Sequence, residues 1–173
     1  MDAQIVLRHA FSELNNMYQY KEEDLNFLVN DNPIIPNGRE EIIRKGLHIG
    51  LHGELYPALH ILLPQMEAII RYLVELCSGK TFYIEENGDV HFYVLERLLD
   101  DPELNTCIDP DFLFFLKGLL VKKEGSNLRN EISHSFMEPG NSPIALYFLA
   151  FFCKFLNWYS ISSQEERQRM TRE

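Results

Sequence analysis

The chain has 173 residues, of which 46% are hydrophobic and 12% aromatic, and it carries a formal net charge of −10. A chain of this length forms one domain whose core needs neither disulfides nor a metal. The acidic balance argues against broad, sequence-independent binding to nucleic acid, which needs an extensive basic face. It leaves room for a small site that holds one or two phosphates.

The first 38 residues are predicted to form a helical arm. Apolar residues recur at helical spacing over residues 2–20. Acidic residues then open a short second helix at 21–29, which Pro33 ends. A turn follows at 36–38. We expect residues 1–38 to be an accessory arm or the remnant of a longer protein.

A long helical region begins at Arg39. Gly50 and Gly53 lower its helix propensity by about 1 kcal/mol each relative to alanine. We therefore expect a close approach of two helices there, or a bend near Gly53. A second helix is predicted over 55–77, and Pro64 inside it predicts a kink.

A small β-hairpin is predicted after that helix. A Ser-Gly pair at 78–79 ends the helix. The segments 81–84 and 90–92 flank the dipeptide Asn87-Gly88, which is a strong hairpin signal. Beyond it, a loop is predicted at 100–109, and helices are predicted at 93–99, 110–122, 127–136 and 144–160.

The last predicted helix carries more aromatic residues than one buried face requires. They are Tyr147, Phe148, Phe151, Phe152, Phe155, Trp158 and Tyr159. The excess predicts contact with a second subunit, so we expect a homodimer. The apolar run 144–159 contains Lys154 and Asn157 and is shorter than the ~20 residues that span a bilayer, so we expect a buried helix and no membrane association. Residues 161–173 are predicted to be a polar tail.

The three cysteines, Cys77, Cys107 and Cys153, lie far apart and form no CxxC pair. This pattern favours buried thiols over zinc ligands or disulfides, and a reducing compartment. The N-terminus lacks a signal-peptide pattern. We therefore expect a cytoplasmic protein.

Three histidines are candidates for a functional site. His48 and His52 are four residues apart, a spacing that suits a metal, but no third ligand stands at motif spacing. We expect neither a metal nor a cofactor. His60 stands among apolar residues, where it is either a hydrogen-bonded core residue or part of a site.

The segment 125–136, GSNLRNEISHSF, places Arg129, Asn130 and His134 within six residues. Arginine is permanently charged, and its planar fork fits phosphate. Histidine accepts or donates a proton near neutral pH, and asparagine both donates and accepts hydrogen bonds. The segment therefore predicts a phosphate-binding site that can transfer a proton.

The spacing of these residues on a helix suggests a composite site. Asn130 and His134 share a face, whereas Arg129 and His134 diverge by about 140° around the axis. One copy cannot easily surround a substrate with both side chains, but two copies facing each other in a symmetric dimer can. A purely structural alternative stays open, in which Ser126 or Asn127 caps a helix, Arg129 is solvated and His134 is packed.

Two stretches resemble a known family. NLRNEISH, residues 127–134, resembles the R-x4-6-H motif of the HEPN superfamily (higher eukaryotes and prokaryotes nucleotide-binding domains), in the form where Asn follows the Arg. Residues 50–71, GLHGELYPALHILLPQMEAIIR, resemble the long helix of one HEPN branch, which is found as a C-terminal domain of otherwise uncharacterised proteins. The matching residues are Gly50, Leu51, Gly53, Glu54, Ala58, Leu59, His60, Pro64, Gln65, Glu67 and Arg71. The resemblance covers about 42–158.

The resemblance implies an all-α, up-and-down helical bundle of HEPN type with a small β-hairpin insertion, here over residues 39–160. It also implies a metal-independent endoribonuclease, a toxin or defence effector that cleaves RNA by attack of the 2′-OH. Its partners would be RNA or a nucleotide, a second copy of the chain, and an antitoxin or an upstream partner domain.

The resemblance assigns roles to seven residues. Arg129 and His134 would be catalytic. The other five are Asn130, Asn127 and His60, which would contact the substrate, and Glu67 and Arg71, which would support the site. An alternative is a non-catalytic HEPN module for nucleotide binding or dimerisation, and the acidic net charge favours it.

Overall fold

The computed structural model describes residues 3–18, 21–137 and 143–170. They are mostly helical and include one antiparallel pair of short strands. The helices are α1 (Ala3–Met17), α2 (Asn26–Val29), α3 (Glu40–Leu51), α4 (Leu55–Cys77), α5 (Leu95–Leu99), α6 (Leu104–Cys107), α7 (Pro110–Leu120), α8 (Leu128–Ser133) and α9 (Pro143–Met170). The strands are β1 (Phe82–Ile84) and β2 (Val90–Phe92). The prediction of an all-α fold with a small hairpin is confirmed.

Several predicted boundaries are confirmed, and others differ. The long helix α4 and both strands lie where they were predicted. Helix α8 is shorter than 127–136, and α6 lies inside the predicted loop 100–109. Helix α9 continues into the predicted tail as far as Met170, because the residues after Ser160 include neither glycine nor proline and are rich in helix-forming Gln, Glu and Arg.

The described residues divide into two compact units. The first contains the chain up to Gln65 together with the chain from Met137 onward, and the second is Met66–Phe136. The domain boundary expected at residue 38 lies inside the first unit. The reason is that a 3₁₀ turn, Glu22–Leu25, packs on α3 while α2 packs on α9.

Buried polar side chains fasten the N-terminal segment to α9 in the first unit. The Asn32 amide nitrogen donates to the carbonyl oxygens of Leu28 (2.7 Å) and Leu156 (2.9 Å). The Ser160 hydroxyl donates to the carbonyl oxygen of Phe27 at 2.7 Å. The segment 25–35 is therefore part of the core of this unit, since its buried polar group, Asn32, is hydrogen-bonded on both sides.

Two glycines allow helices of the first unit to lie close together. A Cβ atom on Gly46 would lie 2.7 Å from a methyl carbon of Leu62, and one on Gly50 would lie 2.9 Å from the Cβ of Ala58. Gly53 forms the turn between α3 and α4 with a φ of +97°, which favours glycine. The expected close approach at Gly50 and the expected bend at Gly53 are both confirmed.

The aromatic residues of α9 are mostly enclosed within the chain. Phe148, Phe152 and Phe155 are fully buried, and Trp158 is 63% exposed. The other three are half-buried. The aromatic excess, which predicted a second subunit, is therefore largely accounted for within one copy, and the homodimer stays a prediction without that support.

The length argument against a membrane span was wrong. The 19 residues Pro143–Ile161 are long and apolar enough to cross a membrane by length and composition alone. Half of that stretch is buried inside the protein, where α9 contacts α1, α2 and α3. The core helix of a globular protein has the same properties, so the expected absence of membrane association stays a prediction.

The expectation of three free thiols was also wrong. Cys77, at the end of α4, and Cys107, at the end of α6, form a disulfide. Sequence spacing did not reveal it, because α6 lies in a segment that was predicted to be a loop. Burial raises the pKa of the remaining thiol, Cys153, to about 12. The cytoplasmic expectation stays a prediction and loses the support of reduced cysteines.

Candidate functional site

The motif segment begins with a direct contact between two backbones. A Cβ atom on Gly125 would lie 2.0 Å from the carbonyl oxygen of Gly118 in α7. The same oxygen accepts a hydrogen bond from the Ser126 backbone nitrogen at 3.0 Å. Helix α7 is itself well anchored, because the Asp109 carboxylate caps its first turn. The start of the motif is therefore held against a rigid helix.

Helix α8 has six residues and ends before His134. Leu128 and Ile132, one turn apart, are its buried side chains. Ser135 has a φ of +56°, and the Phe136 nitrogen donates to the Glu131 carbonyl oxygen at 2.9 Å. These are the features of a Schellman motif, which stops a helix. This is why the helix does not reach residue 136 as predicted.

Three polar side chains of the motif form a chain of hydrogen bonds. The Arg129 Nη1 donates to the Asn130 Oδ1 at 3.4 Å, and the Asn130 Nδ2 donates to the Asn127 Oδ1 at 3.0 Å. Asn127 stands at the N-cap position with a φ of +44°, but its side chain makes no capping hydrogen bond. The structural alternative in which Asn127 caps the helix through its side chain is therefore wrong.

The Arg129 guanidinium has no carboxylate partner among the residues that the structure describes. Arg44 lies 3.5 Å from a carboxylate oxygen of Glu22, and Arg71 lies 3.4 Å from one of Glu67. Within the described part of the chain, Arg129 instead makes its one side-chain hydrogen bond with an uncharged amide. A half-buried arginine in this state retains donors for an incoming anion such as phosphate.

His134 lies one turn after Asn130 and is exposed. Its backbone nitrogen donates to the Asn130 carbonyl oxygen at 3.0 Å. Its ring stacks on Phe136, with 5.6 Å between the centroids, and Phe136 is itself exposed. The alternative of a packed His134 is therefore wrong. Within the described part of the chain, no side chain makes a hydrogen bond to its ring nitrogens.

His60 is exposed on α4, in the first compact unit. Its ring lies edge-on to that of Tyr56, with 4.6 Å between the centroids. The neighbouring Leu59 and Leu62 face the core, and residue 60 falls on the opposite side of the helix. His60 is therefore no core residue, and its predicted contact with a substrate stays a prediction.

Arg71 fastens the hairpin to α4. It donates to the carbonyl oxygens of Tyr93 (2.9 Å) and Thr81 (3.3 Å), which flank the two strands, and it pairs with Glu67. Its guanidinium also lies 5.7 Å from the centroid of the Phe92 ring. These contacts give Glu67 and Arg71 a role in placing the hairpin, whereas the sequence predicted support for the motif.

Two groups of side chains bear on metal binding. In the first, the His52 Nδ1 lies 2.8 Å from the His48 carbonyl oxygen. The second group is Glu85, Asp89 and His91, whose potential ligand atoms lie within 4.8 Å of one another. The sequence interpretation missed this group, although the hairpin register that aligns residues 84 and 90 was a sufficient signal. All three of its side chains are exposed, and exposed acidic groups are common on protein surfaces that bind no metal.

No protein-family model matches the chain, and neither the curated proteins nor the solved structures contain a match.

Proposed function

We propose that the protein is a metal-independent endoribonuclease of HEPN type, a toxin or defence effector, that acts through Arg129 and His134. The observation that carries the proposal is the state of Arg129, which is half-buried and held by an amide rather than by a carboxylate. His134, five residues later, is exposed to a substrate. A phosphate-binding cation and an accessible proton-transfer group within one short motif suit cleavage of a phosphodiester.

In the proposed reaction, the RNA 2′-OH attacks the adjacent phosphorus. The O2′–P bond forms and the P–O5′ bond breaks, which leaves a 2′,3′-cyclic phosphate and a free 5′-OH. His134 transfers a proton to or from these oxygens, and such a step contributes ~10²–10⁴-fold to the rate. Arg129 stabilises the negative charge that develops on the phosphate. DNA is not a substrate because it lacks the nucleophile.

The reaction needs one group that accepts a proton and one that donates a proton. A single motif contains one histidine, His134, which follows the end of α8 five residues after Arg129. A symmetric homodimer that brings two motifs together would supply both groups and would place an arginine opposite a histidine. The homodimer is therefore part of the proposal.

A non-catalytic nucleotide-binding or dimerisation module is the second possibility. One observation favours this module: among the described residues, no side chain makes a hydrogen bond that would orient the His134 ring. A general base is normally held by such a partner. The net charge of −10 also weakens long-range attraction of RNA.

The two functions are separated by a cleavage assay with the full chain and labelled RNA in EDTA. We expect wild type to cut, His134→Ala to lose cutting, and His9→Ala, a change at an exposed histidine of α1, to keep it. The product should end in a 2′,3′-cyclic phosphate, and a 2′-deoxy substitution at the cut site should block it. Binding of nucleotides without any cutting would support the module instead.

A further inference from the structure

An apolar groove with a volume of about 680 Å³ lies in the first compact unit. It is lined by Leu14, Met17 and Tyr18 at the end of α1, together with Phe27 of α2 and Leu51 of α3. Seven of the eight residues that line it are apolar. The groove belongs to a different unit from the motif segment, so the proposed ribonuclease activity does not explain it.

The walls of the groove are unusually open to water for apolar side chains. Met17 is 67% exposed, Phe27 58% and Leu14 45%. Tyr18 is 58% exposed as well, and all four residues line the same groove, so they form one exposed apolar patch. Such a patch marks an interaction surface more often than an ordinary surface.

The openness of the groove selects the kind of occupant. Sites for small molecules bury about 70–90% of the surface of their ligand, which walls exposed to this degree do not do. An amphipathic helix needs only one of its faces buried, and it offers apolar side chains at i, i+3, i+4 and i+7 to such a groove.

The charges near the groove indicate whether its partner should be cationic or anionic. Among the residues that the structure describes, Asp24 is the one charged residue that lines the groove, and a carboxylate oxygen of Asp24 accepts from the Lys21 backbone nitrogen at 2.7 Å. Exposed Glu13, Glu23 and Glu54 stand within three residues of lining residues in the chain. Lys21 is the one lysine or arginine at the same range, so acidic residues outnumber basic ones near the groove, and this surface favours a cationic segment over an acidic one.

We propose that this groove binds a basic amphipathic helix of a partner protein. The helix lies with its apolar face against Met17, Phe27 and Leu51 and with its Lys and Arg side chains towards the acidic rim. The apolar contact supplies the affinity, and the charges supply the choice of partner.

The test uses two synthetic helical peptides of about 18 residues with the same apolar face and either Lys or Glu on the polar face. Binding to the full chain is followed by fluorescence anisotropy and by NMR of the methionine methyl groups. The chain has five methionines, of which Met17 lines the groove and Met66 is fully buried. We expect the basic peptide to bind at least ~10-fold more tightly than the acidic one and to shift the Met17 methyl signal but not that of Met66.

Two variants distinguish binding at the groove from nonspecific binding of the peptide to α1. Met17→Gln should weaken binding of the basic peptide by about tenfold. Ile5→Gln, a change at an exposed apolar residue of α1 outside the groove lining, should leave this affinity unchanged. Asp24→Asn should reduce the preference for the basic peptide. The proposal is overturned by equal binding of both peptides, by no binding of either up to ~1 mM, or by equal effects of the two glutamine variants. Self-association that Met17→Gln abolishes would make a second copy the occupant and would also overturn it.

Discussion

Gly125 and Gly118 touch through their backbones, and this contact places the motif segment on α7. A Cβ atom on Gly125 would overlap the Gly118 carbonyl oxygen at 2.0 Å, whereas a Cβ atom on Gly118 would meet nothing within 4 Å. A Cβ atom can therefore be added at Gly118 but not at Gly125, and the two glycines form a matched pair of positions for substitution by alanine.

We predict that Gly125→Ala destabilises the protein by about 2–4 kcal/mol, because a backbone atom cannot move aside as a side chain can. Gly118→Ala should be neutral or should stabilise by about 0.5–1 kcal/mol, since it replaces a glycine inside a helix. Urea denaturation of both variants measures the difference. Equal effects would show that the contact does not exist in solution.

The second prediction concerns the end of α8. Ser135 adopts a φ of +56°, which costs a residue with a side chain about 1–2 kcal/mol. Ser135→Gly should therefore raise the free energy of unfolding by about 1 kcal/mol. The control is Ser133→Gly at the last helical residue, which should lower it by about 0.5–1 kcal/mol. A destabilised Ser135→Gly variant would contradict this helix end.

The third prediction concerns the hairpin. Arg71→Lys should loosen it, because a lysine cannot reproduce the planar fork that donates to Thr81 and Tyr93. We expect a loss of about 1–2 kcal/mol in the protection of the Tyr93 amide from hydrogen exchange. The control is Arg97→Lys, at an exposed arginine over the Tyr93 ring, which should change the protection of the Tyr93 amide little.

The fourth prediction tests whether the site is composite. Arg129→Ala and His134→Ala should each be inactive alone. If each site takes its arginine from one copy and its histidine from the other, subunit exchange between the two variants should restore about a quarter of the wild-type activity. RNA cleavage before and after mixing measures this. Active wild type with no recovery in the mixture would contradict a site that takes one arginine and one histidine from different copies.

The fifth prediction follows from the Cys153 thiol. Its pKa is raised by burial from 9.0 to about 12, so the folded chain keeps a proton that the unfolded chain loses above pH 9. The free energy of unfolding should therefore fall as the pH rises between these values, by at most about 1.4 kcal/mol per pH unit. Cys153→Ala should lack this contribution, and urea titrations from pH 8.5 to 10.5 would show the difference. Identical slopes would mean that the thiol is not buried.

Local features of the sequence determined most of the secondary structure. The Asn87-Gly88 dipeptide placed the hairpin turn, and Gly53 placed the break between α3 and α4. These signals work because the backbone preferences of a few adjacent residues are enough to start, stop or turn an element. The polar residues of the motif were also identifiable from the sequence, since Arg129 and His134 stand close together along the chain.

Tertiary structure decided which side chains meet and which face water. The disulfide joins Cys77 to Cys107 across 30 residues, and Arg71 reaches the carbonyl oxygen of Tyr93 across 22. Neither the lack of a carboxylate beside Arg129 among the described residues nor the exposure of His60 could be predicted from the sequence. Contacts of this kind depend on how distant segments pack together, and packing is set by the shape of the whole core rather than by the preferences of neighbouring residues.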